Sequence, residues 1–299
     1  MSDTAKLRIG SVISDAFAVF SRRPVILLGL AFVMVGIPGF IQNYAFSPLN
    51  PRGLAADFGD GLAQTIELIS TIIITILTIW AQALLVLICV EDMSTGEVNV
   101  EECFNISARK FPLLLAFTFL AGAVLIIIFA ALLIGMGLAV ANFAEQTAQP
   151  YGVFIIVMLA LLAILAVALG ISALLCCVIP AMTMEDSGLV DSVRRSLYLT
   201  QGSRKRIMVI LGIYVFLAML LGGILGGGAA YFGPDVTTPY ATAMQEIQYS
   251  MATTPYFLAM MVVTTLVTAI GSAIIASIYV ALRKRRDGVE ASDLGAIFE

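Results

Sequence analysis

The side chains able to do acid–base, nucleophilic or metal chemistry are few in this 299-residue chain, and their types exclude more than they permit. There is no histidine, which removes the commonest general base, the serine and cysteine triads that depend on it, and the usual zinc sites. The four cysteines are Cys89, Cys103, Cys176 and Cys177. One adjacent pair with no second pair falls short of zinc or iron–sulfur ligand spacing. All four lie near or beyond the cytoplasmic ends of the spans derived below, where thiols stay reduced, so they are expected to be packing residues. No glycine-rich phosphate loop precedes a helix. What remains is carboxylate chemistry, which would need Glu185 and Asp186 to converge with Glu101 or Glu102 at a cytoplasmic cleft. Those acids lie in surface segments instead of facing one another across a bundle, so the expectation is a protein with no enzymatic activity, metal or cofactor.

Other residues could bind without reacting. Arg194, Arg195 and Ser196, followed by Arg204, Lys205 and Arg206, could hold anionic lipid headgroups or the acids of a membrane partner, or could serve orientation alone. Glu67 at the edge of one apolar stretch and Gln82 near its middle suggest either a polar site between helices or a snorkelling acid and an interhelical amide bond. Small residues also cluster, as Gly222, Gly223, Gly226, Gly227 and Gly228 and, at four-residue intervals, as Ala269, Ala273 and Ser277. These are expected to let helix backbones approach, with a gated or unwound helix as the sharper alternative. Gly36, Pro38 and Gly39 predict a kink or early end in the first apolar stretch.

The elements that must position these residues are set by hydropathy. Hydrophobic residues make up 60% of the chain and charged ones 12%, with mean hydropathy +1.02, whereas a soluble domain carries about a quarter charged residues. Crossing the hydrocarbon layer takes about 20 consecutive apolar residues in a helix, because backbone groups left unpaired in lipid are costly. Six stretches are suited to this: Pro24 to Ile41, Leu68 to Val90, Pro112 to Ala141, Val153 to Ile179, Ile207 to Phe232 and Tyr256 to Leu282, none with an Asp, Glu, Lys or Arg. Of the 16 Lys and Arg residues, all but Arg52 fall on one side of these spans, while Asp57, Asp60, Glu67, Glu145, Asp235 and Glu246 share the other side with Arg52. The positive-inside rule then places both termini in the cytoplasm. The 23 polar and amphipathic residues before Pro24 do not resemble a cleavable signal, and the chain is expected to stay whole. A net charge of −4 with no basic, aromatic-interleaved patch gives no reason to expect nucleic acid.

The expected fold is therefore an all-α polytopic membrane bundle forming a single domain over residues 1–299, with amphipathic helices on its cytoplasmic surface. The first such helix is marked by Ile9, Val12, Ile13, Ala16, Phe17 and Phe20, ending at Arg22, Arg23 and Pro24. The second opens with Asn99 three residues before Glu102, a capping-box spacing, and runs through Cys103, Phe104 and Ile106 to Arg109, Lys110 and Pro112. At an offset of 87 the two align, Asp15 on Glu102, Ala16 on Cys103 and Phe17 on Phe104, and the basic pairs coincide. Leu189, Asp191, Ser192 and Val193 begin a looser third copy. This suggests a threefold repeat over residues 1–95, 96–185 and 186–286 with a cytoplasmic tail over 287–299. The alternative is that amphipathic helices with acidic starts and basic ends resemble one another by chemistry alone.

The segment from Pro180 through Glu185, Gly188 and Asp191 to Arg194, Arg195, Ser196, Leu197, Tyr198, Leu199, Thr200, Gln201 and Gly202 resembles the hallmark of the glycerophosphoryl diester phosphodiesterase membrane-domain family and related bacterial inner-membrane proteins. Ile9 and Gly10 with Asp15, Ala16 and Phe17 resemble that family's opening, and Tyr279, Leu282, Arg283, Asp287 and Gly288 its close, with Ala281 where an aspartate is frequent. Leu197 stands in a usual aromatic place. The resemblance implies a bacterial inner-membrane location but no diesterase activity, since no histidine is present for a catalytic barrel and the final span is followed by few residues. The expected function is organisation of membrane lipids, with anionic lipid a candidate, or of partner proteins, including a second copy of the chain. The alternative is a permease or lipid-moving transporter with a path between repeats, lined by Gln82 and opened at the glycines.

Overall fold

The computed structural model describes residues 7–46, 59–146, 150–185, 187–232 and 243–288, and among them the regular structure is helical, with no strand. Six helical stretches are long and apolar enough to cross a membrane: Pro24–Phe46, Gln64–Ser94, Val100–Leu138, Val157–Met184, Arg204–Leu225 and Thr254–Asp287. Their number and order match the hydropathy expectation. Arg52, Asp57, Asp186, Asp235 and nearly all of the tail lie outside the described residues, as do the side chains of Asp60, Glu145 and Glu246.

By contact the chain divides into two compact units, one of Met1–Arg109 with Ile213–Glu299, the other of Lys110–Gly212. In the first, helix α1 (Ile9–Arg22) precedes span 1, which comprises α2 (Pro24–Ala31), a π-helical turn (Phe32–Gly36) and α3 (Ile37–Phe46). Gly36 thus closes a local widening of the helix, and Pro38 and Gly39 follow it inside α3, so the span does not end early there. Span 2 is α4 (Gly59–Ser94), and span 6 is α10 (Ala243–Asp287), against which α1, α2, the π turn, α3 and α4 all pack. The interior consists of the continuous run Ala83 to Asp92 on α4 and Ala269, Ala273, Ala276, Ser277, Ile278 and Tyr279 on α10. Close helix approach is what holds such a unit together in lipid, where apolar burial alone gives no preference for protein over acyl chains.

In the second unit, α6 (Pro150–Leu175) and α7 (Val178–Met184) form span 4, and α8 (Leu189–Thr200) packs on both. The chain enters this unit within α5 (Val100–Gln146) and leaves it within α9 (Arg204–Phe232).

The three surface helices leave for their spans differently. At Arg23, φ −128° and ψ 48° break the helix directly before Pro24, as the ring of a following proline demands. Pro112, expected to start span 3 afresh, lies inside the unbroken α5. It costs one backbone hydrogen bond near the predicted cytoplasmic end of the span, where water can satisfy the freed carbonyl. After α8 a turn over residues 201–203 precedes α9.

One contact pattern recurs in two of the three. The first turns of α5 lie on α4, the span before them, through Trp80 and Phe104 with ring centroids 4.9 Å apart. α8 likewise lies on α6, where the Ser196 hydroxyl donates to the Leu174 carbonyl at 2.6 Å. α1 packs instead on α10. The aligned residues Ala16, Cys103 and Ser192 are all buried.

Candidate functional site

The charged groups of the first unit gather at the end of span 2. Span 2 ends in Glu91 and Asp92, both buried, and each is satisfied by a different neighbour. Asp92 takes an ion pair from Arg22 at 2.7 Å and a longer one from Arg23 at 3.5 Å. Arg23 also donates to the Gly96 carbonyl at 3.1 Å. Gly96, at φ +75°, ends α4 in the left-handed conformation that an L side chain resists, and its amide closes back on the Asp92 carbonyl at 3.2 Å. The basic pair that closes α1 is thus tied to the carboxyl terminus of span 2, where positive charge also meets the negative end of the helix dipole.

Glu91 serves the next surface helix. Its Oε1 accepts the Asn99 amide at 3.1 Å and its Oε2 the Cys103 thiol at 3.0 Å. The capping box is therefore split. Asn99 Oδ1 accepts the Glu102 amide at 3.3 Å as expected, but Glu102 meets only the Asn99 side chain at 3.4 Å, and Glu91 takes the backbone position a capping acid would occupy. All four cysteines are free thiols, and among the described residues no group of acids and thiols could hold a metal.

In the second unit α8 is turned against its apparent polarity. Its buried positions are Ser192, Ser196, Leu199 and Thr200, mostly hydroxyls. Ser192 donates to the Gly188 carbonyl at 2.8 Å, Ser196 to Leu174, and Thr200 to the Ser196 carbonyl at 2.9 Å. Outward stand Val190, Leu197 and Tyr198, 59%, 37% and 48% exposed, with Arg194 among them. Residues 190, 191, 194, 197 and 198 follow helical spacing, so one face combines apolar bulk with the cation of Arg194 and, in the first turn, the acid Asp191.

The residues singled out from sequence separate on this geometry. Arg194, Arg204 and Lys205 are exposed, and Arg206 is half-buried. Arg195 is engaged by Glu185 at 2.8 Å and lies 5.8 Å from the Tyr198 ring, while Ser196 is fully buried, so neither offers a free group to a ligand. Glu185 is thereby committed to an ion pair and Glu102 to its cap, and Asp186 lies outside the described residues. Glu67 and Gln82 are both exposed on α4, about 22 Å apart along the helix, and do not form a shared polar site. Ala269, Ala273 and Ser277 are buried as a packing face should be. Gly222 and Gly223 are different: a Cβ on either would meet nothing within 4 Å among the described residues, so their expected close approach is not seen. They lie in the uninterrupted α9, while the surroundings of Gly226, Gly227 and Gly228 are outside the described residues. The signal that could have revealed Glu91 and Asp92 was their place: two acids directly after an apolar run, needing partners that Arg22 and Arg23 supply.

Six membrane-length helices carrying surface helices tied down by buried polar contacts define a multi-pass, all-α membrane protein. Residues 7–282 match the family described as a domain of unknown function, DUF7847, and the chain belongs to that family. No curated protein and no solved structure matches it.

Proposed function

We propose that the chain is a non-enzymatic organiser of anionic lipid at the cytoplasmic face of a bacterial inner membrane, with both termini on that face. The observation that carries this reading is the orientation of α8: hydroxyls inward, and Val190, Leu197 and Tyr198 outward beside Arg194. In water such a face would cost free energy, whereas at the headgroup boundary the apolar groups enter the acyl region and the arginine meets phosphate. Arg204 and Lys205, exposed at the start of α9, add positive charge close to α8 in sequence. The likeness of the Arg194 to Gly202 segment to the glycerophosphoryl diester phosphodiesterase membrane domains is part of this proposal, and it concerns the membrane domain only.

The test is native mass spectrometry of the protein extracted with its surrounding membrane. Each cation near an anionic surface contributes about 1 kcal/mol, so neutralising Arg194, Arg204 and Lys205 together should weaken anionic-lipid retention about a hundredfold at low salt. Retention unchanged in that variant, with its topology intact, would sink the proposal. Arg195 is unsuitable for the test because its loss would strand Glu185.

A further inference from the structure

Thr71, Thr75, Thr78 and Gln82 follow one another along α4 at intervals of four, three and four residues, the spacing that keeps a row of side chains on one line of a helix facing another. All four are polar, and the row lies outside the packed interior: Thr71, Thr75 and Gln82 are exposed and Thr78 is half-buried. Its continuation at Leu85 and Cys89 is buried, so the open stretch ends at Gln82. The threonines are provided for. Each hydroxyl donates to a carbonyl one turn back, Thr71 to Glu67 at 2.8 Å, Thr75 to Thr71 at 2.7 Å and Thr78 to Ile74 at 2.8 Å. Thr71 also accepts the side-chain amide of Gln42 from α3. Gln82 is not provided for: its amide, with two N–H donors and a carbonyl, has no hydrogen-bond partner among the described residues. It stands about 14 Å along α4 from Glu91 and about 22 Å from Glu67, the acids at the two ends of the apolar stretch, and therefore deep in a hydrocarbon layer about 30 Å thick. Acyl chains at that depth offer an amide neither donor nor acceptor.

What meets Gln82 is then a polar group of another helix, at the same depth, that both donates and accepts. A second copy of the chain meets that description. Copies inserted in the same sense pair about a twofold axis along the membrane normal, which sets each residue of α4 opposite its own counterpart at equal depth. Glutamine is complementary to itself, since an N–H of each amide reaches the carbonyl of the other. The threonines suit the same approach, because they are small and their donors are already used, so close contact strands no O–H. Leu68 and Ile72, exposed beside the row, add apolar area on one flank. Glu67 lies one turn beyond Thr71, at the end of the apolar stretch, where water reaches its charge.

We infer that the chain forms a homodimer within the membrane through the row from Thr71 to Gln82 on α4, held by a reciprocal pair of Gln82 amides across the twofold axis. The inference goes beyond the lipid-organising role proposed above and uses none of its residues, so each can fail alone.

The experiment uses the full chain, labelled at its carboxyl terminus with a donor or an acceptor fluorophore and reconstituted in phosphatidylcholine liposomes over a range of protein-to-lipid ratios. Energy transfer should saturate as the protein is concentrated and should grow in proportion to the acceptor fraction, as it does for a dimer. Gln82→Leu removes both amide bonds and should weaken association about tenfold, while Gln82→Asn keeps a self-pairing amide and should retain most of it. Thr75→Trp, which holds the two helices apart without touching the amide, should weaken association as well. Ile73→Ala, an exposed position on the opposite side of α4, should leave it unchanged. Thr75 and Gln82 are exposed, so their variants should fold. Transfer no greater than random crowding gives, an assembly larger than two, or a dimer that survives both Gln82→Leu and Thr75→Trp overturns the inference. A chain that stays monomeric would assign the row to a different membrane protein or to a lipid headgroup drawn into the span.

Discussion

The Cys103 thiol donates to one oxygen of the Glu91 carboxylate at 3.0 Å while the other oxygen accepts the Asn99 amide at 3.1 Å. One acid at the end of span 2 therefore holds both the start and the first buried residue of the following surface helix. Glu91→Ala would strand two donors, one of them on a fully buried side chain, at about 1–3 kcal/mol each. Glu91→Gln keeps an acceptor for Asn99 and should cost less. Cys103→Ala takes only a weak S–H donor from one carboxylate oxygen while the other keeps the Asn99 amide, and should cost least. Unfolding midpoints in mixed micelles should follow that order; an equal midpoint for all three variants would show that the carboxylate does not tie the helix down.

The span against which that helix lies carries a built-in reporter. Trp80 is the one tryptophan of the chain, and its indole N–H donates to the buried Ser107 hydroxyl at 3.0 Å. Ser107→Ala removes that acceptor and should cost about 1–2 kcal/mol, because the indole is partly buried and must find water instead. Acrylamide quenching of Trp80 should rise in Ser107→Ala and rise further in Glu91→Ala, since both loosen the first turns of α5. Quenching that does not respond to Glu91→Ala would separate the two contacts.

The Asp92 site predicts an asymmetry. Its side chain is 1% exposed, against 53% for Arg22 and 38% for Arg23. Removing Asp92 releases two guanidiniums that water already reaches, whereas removing both arginines leaves a buried carboxylate uncompensated. Arg22→Ala/Arg23→Ala should therefore cost about 3 kcal/mol, at the low end for a buried pair because the cations are well solvated. Adding Asp92→Asn should recover most of that loss. A double-mutant cycle on unfolding midpoints measures the coupling, and tags on both termini check that the missing arginines have not altered insertion.

The six spans were legible because the requirement behind them is absolute: a helix in lipid must be apolar over a minimum length, whatever its neighbours are. The surface helices were legible for a related reason, their spacing of Val12, Ala16 and the aligned Cys103 matching positions that prove buried. What composition could not give was facing. Val190, Leu197 and Tyr198 would be assigned inward by hydrophobicity, yet lipid offers apolar groups an outward home, so the hydroxyls of Ser192, Ser196 and Thr200 take the interior. Gln82 shows the same limit, since polarity near mid-span suggested an inward amide and the residue points out between buried Ala81 and Ala83. Glu91 and Asp92 are hidden for a different reason: an acid just after an apolar run has the composition of a loop start, and only tertiary contacts with Arg22, Arg23 and Cys103 bury it.

Glycines in two spans test whether small residues here serve approach or flexibility. Gly271 on α10 lies beneath Tyr214 of α9, whose hydroxyl donates to the Val267 carbonyl at 2.9 Å; a Cβ at Gly271 would come within 2.5 Å of that hydroxyl. Gly271→Ala must displace the ring or break its hydrogen bond, an overpacking expected to cost about 1–3 kcal/mol. Tyr214→Phe, which deletes the nearest atom, should return part of it. At Gly222 and Gly223 an added Cβ meets nothing within 4 Å, so alanine there should be neutral or stabilising by up to about 1 kcal/mol through lost backbone entropy alone. Thermal midpoints of the four variants decide the matter. Destabilisation by Gly222→Ala or Gly223→Ala would mean that their surroundings are tighter than the described neighbours allow, and would return the span 5 glycines to the packing role that Gly271 fills.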